Sequence, residues 1–411
     1  MPNICVDSIA EKCINLYEKL PKSGKPIENE WTVLSCVVQY DKVSTTFDVV
    51  SLGTGSKCIG VSKMSPAGNI LNDSHAEAFA RRGFLIYLYE NIINTIENKQ
   101  SIFHKEEEKF RLRDNIEFIF YSSQMPCGDA SIMTKMGEED DFGYMIISSK
   151  REAQNDNCHI ESKRQKLDIH RTGAKCLPNT EQDPKMPGVN YHLLGQVRTK
   201  PGRGDRTLSV SCSDKMARWI HVGIQGALLD ILLSEPIFIR YFIFGAGVPY
   251  CDISLHRALL KRKCDNAIEK RLPCIPEFYR CSKIFPDIRG EHKMRPAAGS
   301  IIWIKTSQNL TEVAVHGQKL GVTKKKANSL SGSLCISKYN IYKKFHEVLL
   351  KQKTLCSSVC GEELLCNIEY NNMKRKAVRY KKNWHETRDT FFKIWTSKPD
   401  IWNFCLNNNT N

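Results

Sequence analysis

Short apolar strands alternate with helical patterns along this chain, and that alternation leaves a layered α/β domain as the fold. Glu30 to Gln39 is rich in β-branched residues and reads as a strand. So does Thr45 to Leu52, which ends at the Gly53-Thr-Gly55 turn. A third strand, Ile116 to Ser122, leads into Pro126-Cys127-Gly128, and Phe238 to Val248 reads as a fourth. Val6 to Leu20 sets Ile9, Cys13, Leu16 and Leu20 on one helical face. A second helix starts near His75, capped by Asn72 or Asp73, and runs through Tyr89. Trp219 to Leu233 reads as a buried third.

Two stretches depart from this pattern. Residues 148–187 keep little periodicity and read as a mobile surface insertion within a single domain spanning 1–411. From Asn371 to Lys398, nine Lys and Arg face only Glu386 and Asp389, with Tyr380, Trp384, Phe391, Phe392 and Trp395 interleaved. Lys and Arg total 60 against 45 Asp and Glu, a surplus of +15 that suits an anionic partner, nucleic acid ahead of a membrane surface. No uncharged apolar run approaches the ~20 residues of a membrane helix. The amino terminus lacks the basic start and apolar block of a signal peptide. Seventeen cysteines without a repeating spacing point to free thiols in an intracellular protein, nuclear or cytoplasmic, some of them binding metal. No obligate protein partner is evident.

The chemistry concentrates at His75-Ala-Glu77, opening a helix, and Pro126-Cys127, following a strand. Zinc that activates water keeps three protein ligands and one open position. His75 and Cys127 supply two. Glu77, two residues beyond His75, can set a carboxylate beside the water as proton shuttle without ligating. Zinc nucleobase deaminases use this arrangement, with a second Cys three residues after the first. Here that position is Ala130. The third ligand therefore comes from elsewhere, and Cys212, between a short apolar strand and a helical pattern, is the strongest candidate. Alone, His-x-Glu recurs by chance and most single cysteines are inert; three contexts in order outweigh that reading.

Val49-Val-Ser-Leu-Gly-Thr-Gly-Ser-Lys57, Leu71-Asn-Asp-Ser-His-Ala-Glu77, Pro126-Cys-Gly-Asp129 and Ser211-Cys-Ser-Asp-Lys-Met-Ala-Arg-Trp219 together resemble the adenosine deaminases that act on RNA. The resemblance runs from about residue 30 to residue 400. It implies a cytidine-deaminase-like α/β/α core with a mixed sheet, enlarged by C-terminal helices, and a second Cys ligand from the distant segment. Arg198-Thr-Lys-Pro-Gly-Arg-Gly-Asp205 and Val313-Ala-Val-His-Gly-Gln-Lys-Leu-Gly-Val-Thr-Lys-Lys325 are similar to the tRNA-acting branch, as is the lack of room for double-stranded-RNA-binding modules ahead of Trp31. That branch implies alanine tRNA as partner and the adenosine immediately 3′ of the anticodon as substrate, converted to inosine. The alternatives are the deaminase domain of a duplex-RNA editing enzyme, a non-catalytic RNA-binding relative, and a cytidine deaminase, which the distant third ligand disfavours.

Basic residues sit close to these core segments, and unpaired buried cations are costly. Local pairing with Asp73, Asp129, Asp214 and Asp252 accounts for about half of them. The resemblance implies a buried inositol hexakisphosphate at Asn72, Arg81, Arg82, Lys215, Arg218, Gln225, Lys338, Tyr370, Lys374, Tyr380, Trp395 and Lys398; Trp384 stands where one more basic residue is expected. Lys200, Arg203 and Asp205, in a Gly-rich loop before Cys212, are expected to face substrate RNA, with Lys324 to Lys326 a weaker candidate.

Overall fold

The computed structural model describes residues 5–135, 168–202, 205–262, 272–327, 329–400 and 402–406. A mixed sheet is built from β1 (Leu34–Asp41), β2 (Thr46–Thr54), β3 (Ile116–Ser122), β4 (Tyr241–Ala246), β5 (Glu277–Ile284), β6 (Gly299–Ile304), β7 (Leu310–Val315) and β8 (Gln318–Lys319). Their spatial order is β5-β4-β3-β1-β2-β6-β7-β8; β3, β4 and β5 run parallel, and the remaining pairings are antiparallel. Period-two alternation sends apolar side chains to both faces. Phe118 and Phe120 of β3 enter one core, and Ile119 and Tyr121 the other. Phe242 and Phe244 part in the same way from Tyr241 and Ile243 in β4.

Helix α1 (Val6–Lys19) closes one face through Ile9, Cys13, Ile14 and Tyr17. On the other face α2 (Ala76–Ile96) lies across β1, β2 and β6. Beyond it come α3 (Cys212–Val222), α4 (Gly226–Leu232), α5 (Lys338–Lys351), α6 (Tyr370–Arg375) and α7 (Val378–Thr387). Arg379 ties α7 to α4, its Nη2 lying 2.8 Å from the Asp230 carboxylate. Phe404 stacks on Tyr370 with centroids 5.1 Å apart, and its carbonyl accepts the Tyr370 N–H. The enlarged α/β/α layering implied by the sequence is what forms.

Three local expectations need correction. Trp219 to Leu233 is two helices, because Gly223 takes φ 95° and ends α3. The N-cap of α2 is His75 itself, without a side-chain cap; Asp73 sits in a short strand, Asp73–His75, paired with Ser56–Cys58. Of the expected mobile insertion, 148–167 lies outside the described residues, but 168–187 is anchored. Ile169, Ala174, Cys176 and Leu177 are buried, and the strands Ile169–His170 and Lys175–Cys176 pair with Met133–Thr134 and Arg198–Thr199. Two-residue strands carry no readable periodicity.

The approach of α2 to β2 depends on Gly53. A Cβ there would lie 2.5 Å from the Ala80 nitrogen and 2.6 Å from the Ala76 carbonyl oxygen. Both are helix backbone and cannot swing away, and this helix carries His75 and Glu77. Gly53→Ala is expected to destabilise the protein by about 3 kcal/mol, near the top of the range for overpacking, as measured by urea unfolding. A loss under about 0.5 kcal/mol, the scale of an ordinary surface change, would show that this contact does not set the spacing.

Candidate active site

The amino termini of α2 and α3 converge just beyond β3. Ser211 caps α3, its hydroxyl accepting the Asp214 N–H at 3.2 Å. The same helical end aims the Cys212 N–H at the Cys127 sulfur, 3.3 Å away. Ser213 donates its N–H and its hydroxyl to the Cys127 carbonyl, each at 3.0 Å. Gly128, at φ 109°, permits this contact, since a Cβ there would lie 2.2 Å from the Ser211 hydroxyl. The helix end favours a thiolate. Cys127 lies far below the usual thiol range, first through its hydrogen bond with Cys212, then through the Lys200 ammonium and a hydrogen bond with His75. His75, Cys127 and Cys212, read from sequence as metal ligands, are thus brought together.

Behind them stands Asp73, which the sequence offered only as a helix cap or a local ion-pair partner. Its Oδ1 accepts the His75 N–H at 3.0 Å and His75 Nδ1 at 2.9 Å. This leaves the other ring nitrogen for a metal, the orientation a carboxylate imposes on a ligating histidine. Asp73 Oδ2 accepts from Lys200 Nζ at 2.8 Å and also from Lys215 Nζ. Lys200, fully buried, reaches on to the Cys212 sulfur at 2.9 Å. Asp73 and His75 are two residues apart in a strand and so share a face; that spacing was the overlooked signal.

Cys58 also lies beside this carboxylate, 3.1 Å from Asp73 Oδ1 and 3.6 Å from His75 Nδ1, so Cys58, Asp73 and His75 form a second potential ligand set. Two ammonium groups already occupy Asp73 and oppose a cation there, while the thiol pair attracts one. Glu77 is buried, with Oε2 lacking a hydrogen-bond partner; burial foremost raises its pKa. Burial first, then the neighbouring Cys127, holds the Cys212 thiol well above its usual range, so only one of the two sulfurs is readily ionised and a divalent cation would be needed to ionise both. His, Cys and Cys are zinc's customary donors, and the orphaned Glu77 oxygen is placed for a water beside it.

On the opposite side of Lys215 lies a cavity of about 630 Å³. Nine Lys and Arg line it, among them Arg81, Arg82, Arg218, Lys338, Lys374 and Lys398, against one carboxylate, Asp400, among the described residues. Burial above all lowers Lys374 to about 8 and Arg81 to about 10, with neighbouring cations adding to it. Lys338 and Lys398 are lowered too, again chiefly by burial. Arg82 Nη2 and Arg218 Nε are buried without hydrogen-bond partners. Trp384 stacks on Arg218, 3.7 Å from ring centre to guanidinium carbon, so this departure from the family pattern contributes an aromatic face. Tyr370, Tyr380 and Trp395 also line the wall. Of Arg81, Arg82, Lys215 and Arg218, only Lys215 has a carboxylate partner among the described residues, because Asp129 pairs with Arg257, Asp214 with Arg262 and Asp252 with His256.

Several expected contacts fall elsewhere. Asn72 is off the cavity wall; Gln225 lines it, although its side chain also donates to Asp230 and accepts the Ile237 N–H. Lys200 does not face RNA; its ammonium is consumed by Asp73 and Cys212. Asp205 accepts the Ser62 N–H and hydroxyl at 2.8 and 2.7 Å, clamping the Gly-rich loop to the segment before the α2 strand. Arg203 lies outside the described residues. Lys325 and Lys326 are exposed.

Residues 51–399 match the Adenosine-deaminase (editase) domain family. The chain is 38% identical to tRNA-specific adenosine deaminase 1 of Drosophila melanogaster over 96% of its length and 95% of that protein's. It is 32% identical to tRNA-specific adenosine deaminase 1 of Homo sapiens over 96% of its length and 98% of the other's. Against the Double-stranded RNA-specific editase Adar of Drosophila melanogaster, identity is 30% over 69% of this chain and 38% of that one.

The two ligand sets around His75 are separable by metal analysis. Cys212→Ala is expected to lose most of its zinc, whereas Cys58→Ala should retain wild-type content. The reverse pattern would move the metal to the Asp73 side of the ring.

Proposed function

Because this chain belongs to the adenosine-deaminase (editase) domain family, we propose that it is a zinc-dependent enzyme that hydrolyses adenosine to inosine in tRNA. The observation that carries this is the convergence of His75, Cys127 and Cys212 beside the unpartnered Glu77 oxygen. Zinc, when bound, supplies the electrostatic activation that makes water nucleophilic near neutral pH. Glu77 takes a proton from the attacking water and delivers it to N1 of adenine as oxygen adds to C6. It then passes the second proton to the departing amine, so water is consumed and ammonia and inosine are released. His75 is held in one orientation by Asp73, and Lys200 donates to the sulfur of Cys212.

tRNA as substrate is supported by end-to-end similarity to relatives named for it, where the editase Adar shares 38% of its length. We propose alanine tRNA, at the adenosine immediately 3′ of the anticodon, on the resemblance of the Arg198–Asp205 segment. An unpaired loop base also costs less to withdraw from its stack than a paired one. The cation cavity we assign to inositol hexakisphosphate. Nine cations around one carboxylate call for a compact polyanion, and Lys215 joins that cavity to the metal site through Asp73. Such a ligand binds the native state alone and stabilises it.

Four experiments test these readings. Total tRNA incubated with the protein and sequenced should show adenosine-to-inosine change at one loop position. Glu77→Ala should keep its zinc and lose at least about 100-fold in rate, the share of a proton-transfer group; activity within tenfold of wild type would exclude that role. Denatured, purified protein should release about one equivalent of inositol hexakisphosphate by mass spectrometry, as befits one enclosed ligand. Lys374→Ala should cost about 3 kcal/mol of stability by leaving phosphate charge unmatched. Stable Lys374→Ala protein that releases no phosphorylated ligand would return these cations to another role.

A further inference from the structure

The segment between the two cysteine ligands carries a constellation that the reaction above does not use. Arg198 is fully buried, and its Nη1 and Nη2 each donate to a different oxygen of Asp183 at 2.6 Å. It also donates to the carbonyls of Ala174 and Leu193. The same carboxylate accepts His192 Nδ1 at 3.0 Å, and His192 Nε2 accepts the Thr172 N–H at 3.2 Å. Thr172 in turn accepts, through its hydroxyl, the N–H of Gly128 at 3.3 Å, next to ligand Cys127. A rigid, buried lock thus presses residues 171–172 against the turn that holds the metal site.

What the lock presents outward is Arg171. Its guanidinium carbon lies 4.0 Å from the Tyr191 ring centre, and its side chain is 49% exposed. Asp168, 3.8 Å away, is shared with Lys135 at 2.5 Å, so one carboxylate serves two cations. Lys175 and Lys185 are also exposed on the segment, and Lys185 N–H donates to the Tyr191 carbonyl. A guanidinium backed by a ring keeps its in-plane donors directed away, the geometry that meets a phosphate. The Tyr191 face toward Arg171 is covered, which disfavours base stacking there.

We propose that Arg171, held on Tyr191 by the Asp183–Arg198–His192 lock, grips a backbone phosphate of the substrate RNA beside the reaction centre. This rests on the tRNA reading above. The lock fixes the contact before binding, so little side-chain freedom is lost on association.

The test is tRNA deamination by the full-length protein across a salt series, comparing wild type with Arg171→Ala and Arg171→Lys. Arg171→Ala should raise KM about 5- to 10-fold and lower the slope of log affinity against log salt by about one, as for loss of one phosphate contact. Its kcat at saturating tRNA, zinc content and melting temperature should match wild type. Arg171→Lys should restore the slope but only part of the affinity, a point charge replacing a fork. An unchanged KM and salt slope in Arg171→Ala would overturn the proposal, as would a fall in kcat together with zinc, which marks a structural role. Absence of inosine from tRNA with wild-type protein would instead defeat the substrate reading itself.

Discussion

The Asp73 carboxylate is the interaction on which both halves of the site depend. One oxygen orients His75, and the other holds the ammonium groups of Lys200 and Lys215. Lys200 continues to Cys212, and Lys215 lines the cation cavity. Metal geometry and cavity occupancy are therefore not independent. A polyanion of the kind proposed for the cavity would offer Lys215 a second partner and shift how Asp73 divides its charge between the two lysines. Ion pairs this buried stabilise only when every member is matched. On the reading proposed above, zinc and a polyphosphate would be complementary halves of one charge balance.

The cavity also explains why the C-terminal helices exist in this fold. The sheet with α1 and α2 already buries both of its faces. α5, α6 and α7 add Lys338, Lys374, Tyr380 and neighbouring aromatic residues to a wall whose other side is α2 and α3. Without an anion these helices would bring like charges together at a cost. With one they become the lid of a core whose centre is ionic rather than apolar. Aromatic rings suit such a wall. Trp384 and Tyr380 face Arg218, and Tyr370 faces Lys374, screening the cations from water without adding charge.

Much of this was legible in the residues. Strand Ile116–Ser122 forms with the boundaries its apolar run suggests, and the local sequence around His75, Glu77, Cys127 and Cys212 marked the residues that the fold gathers. What escaped was set by distant partners. Nothing local marks Lys200 as buried: its partners are Asp73, 127 residues away, and a cysteine 12 residues on, so its loop position suggested RNA. Gly223 ends a helix through a backbone angle that periodicity does not encode. Residues 168–187 looked structureless because their order comes from Asp183, Arg198 and single buried side chains.

The separation of Cys127 from Cys212 by 85 residues now has a physical reading. A second ligand three residues after the first would fix the metal within one helical turn and leave no chain between the two sulfurs. Here the thiols meet through α3 docking on the Cys127 carbonyl, so the intervening chain can be long without disturbing the metal. Its ends are held: Thr172 on Gly128, Gly195 on Asp129, and Ser211 N–H on the Arg198 carbonyl. Between those anchors the Asp183–Arg198–His192 cluster holds residues 168–198 against the metal-site turn, so the long connection does not loosen the contacts that bring the two sulfurs together.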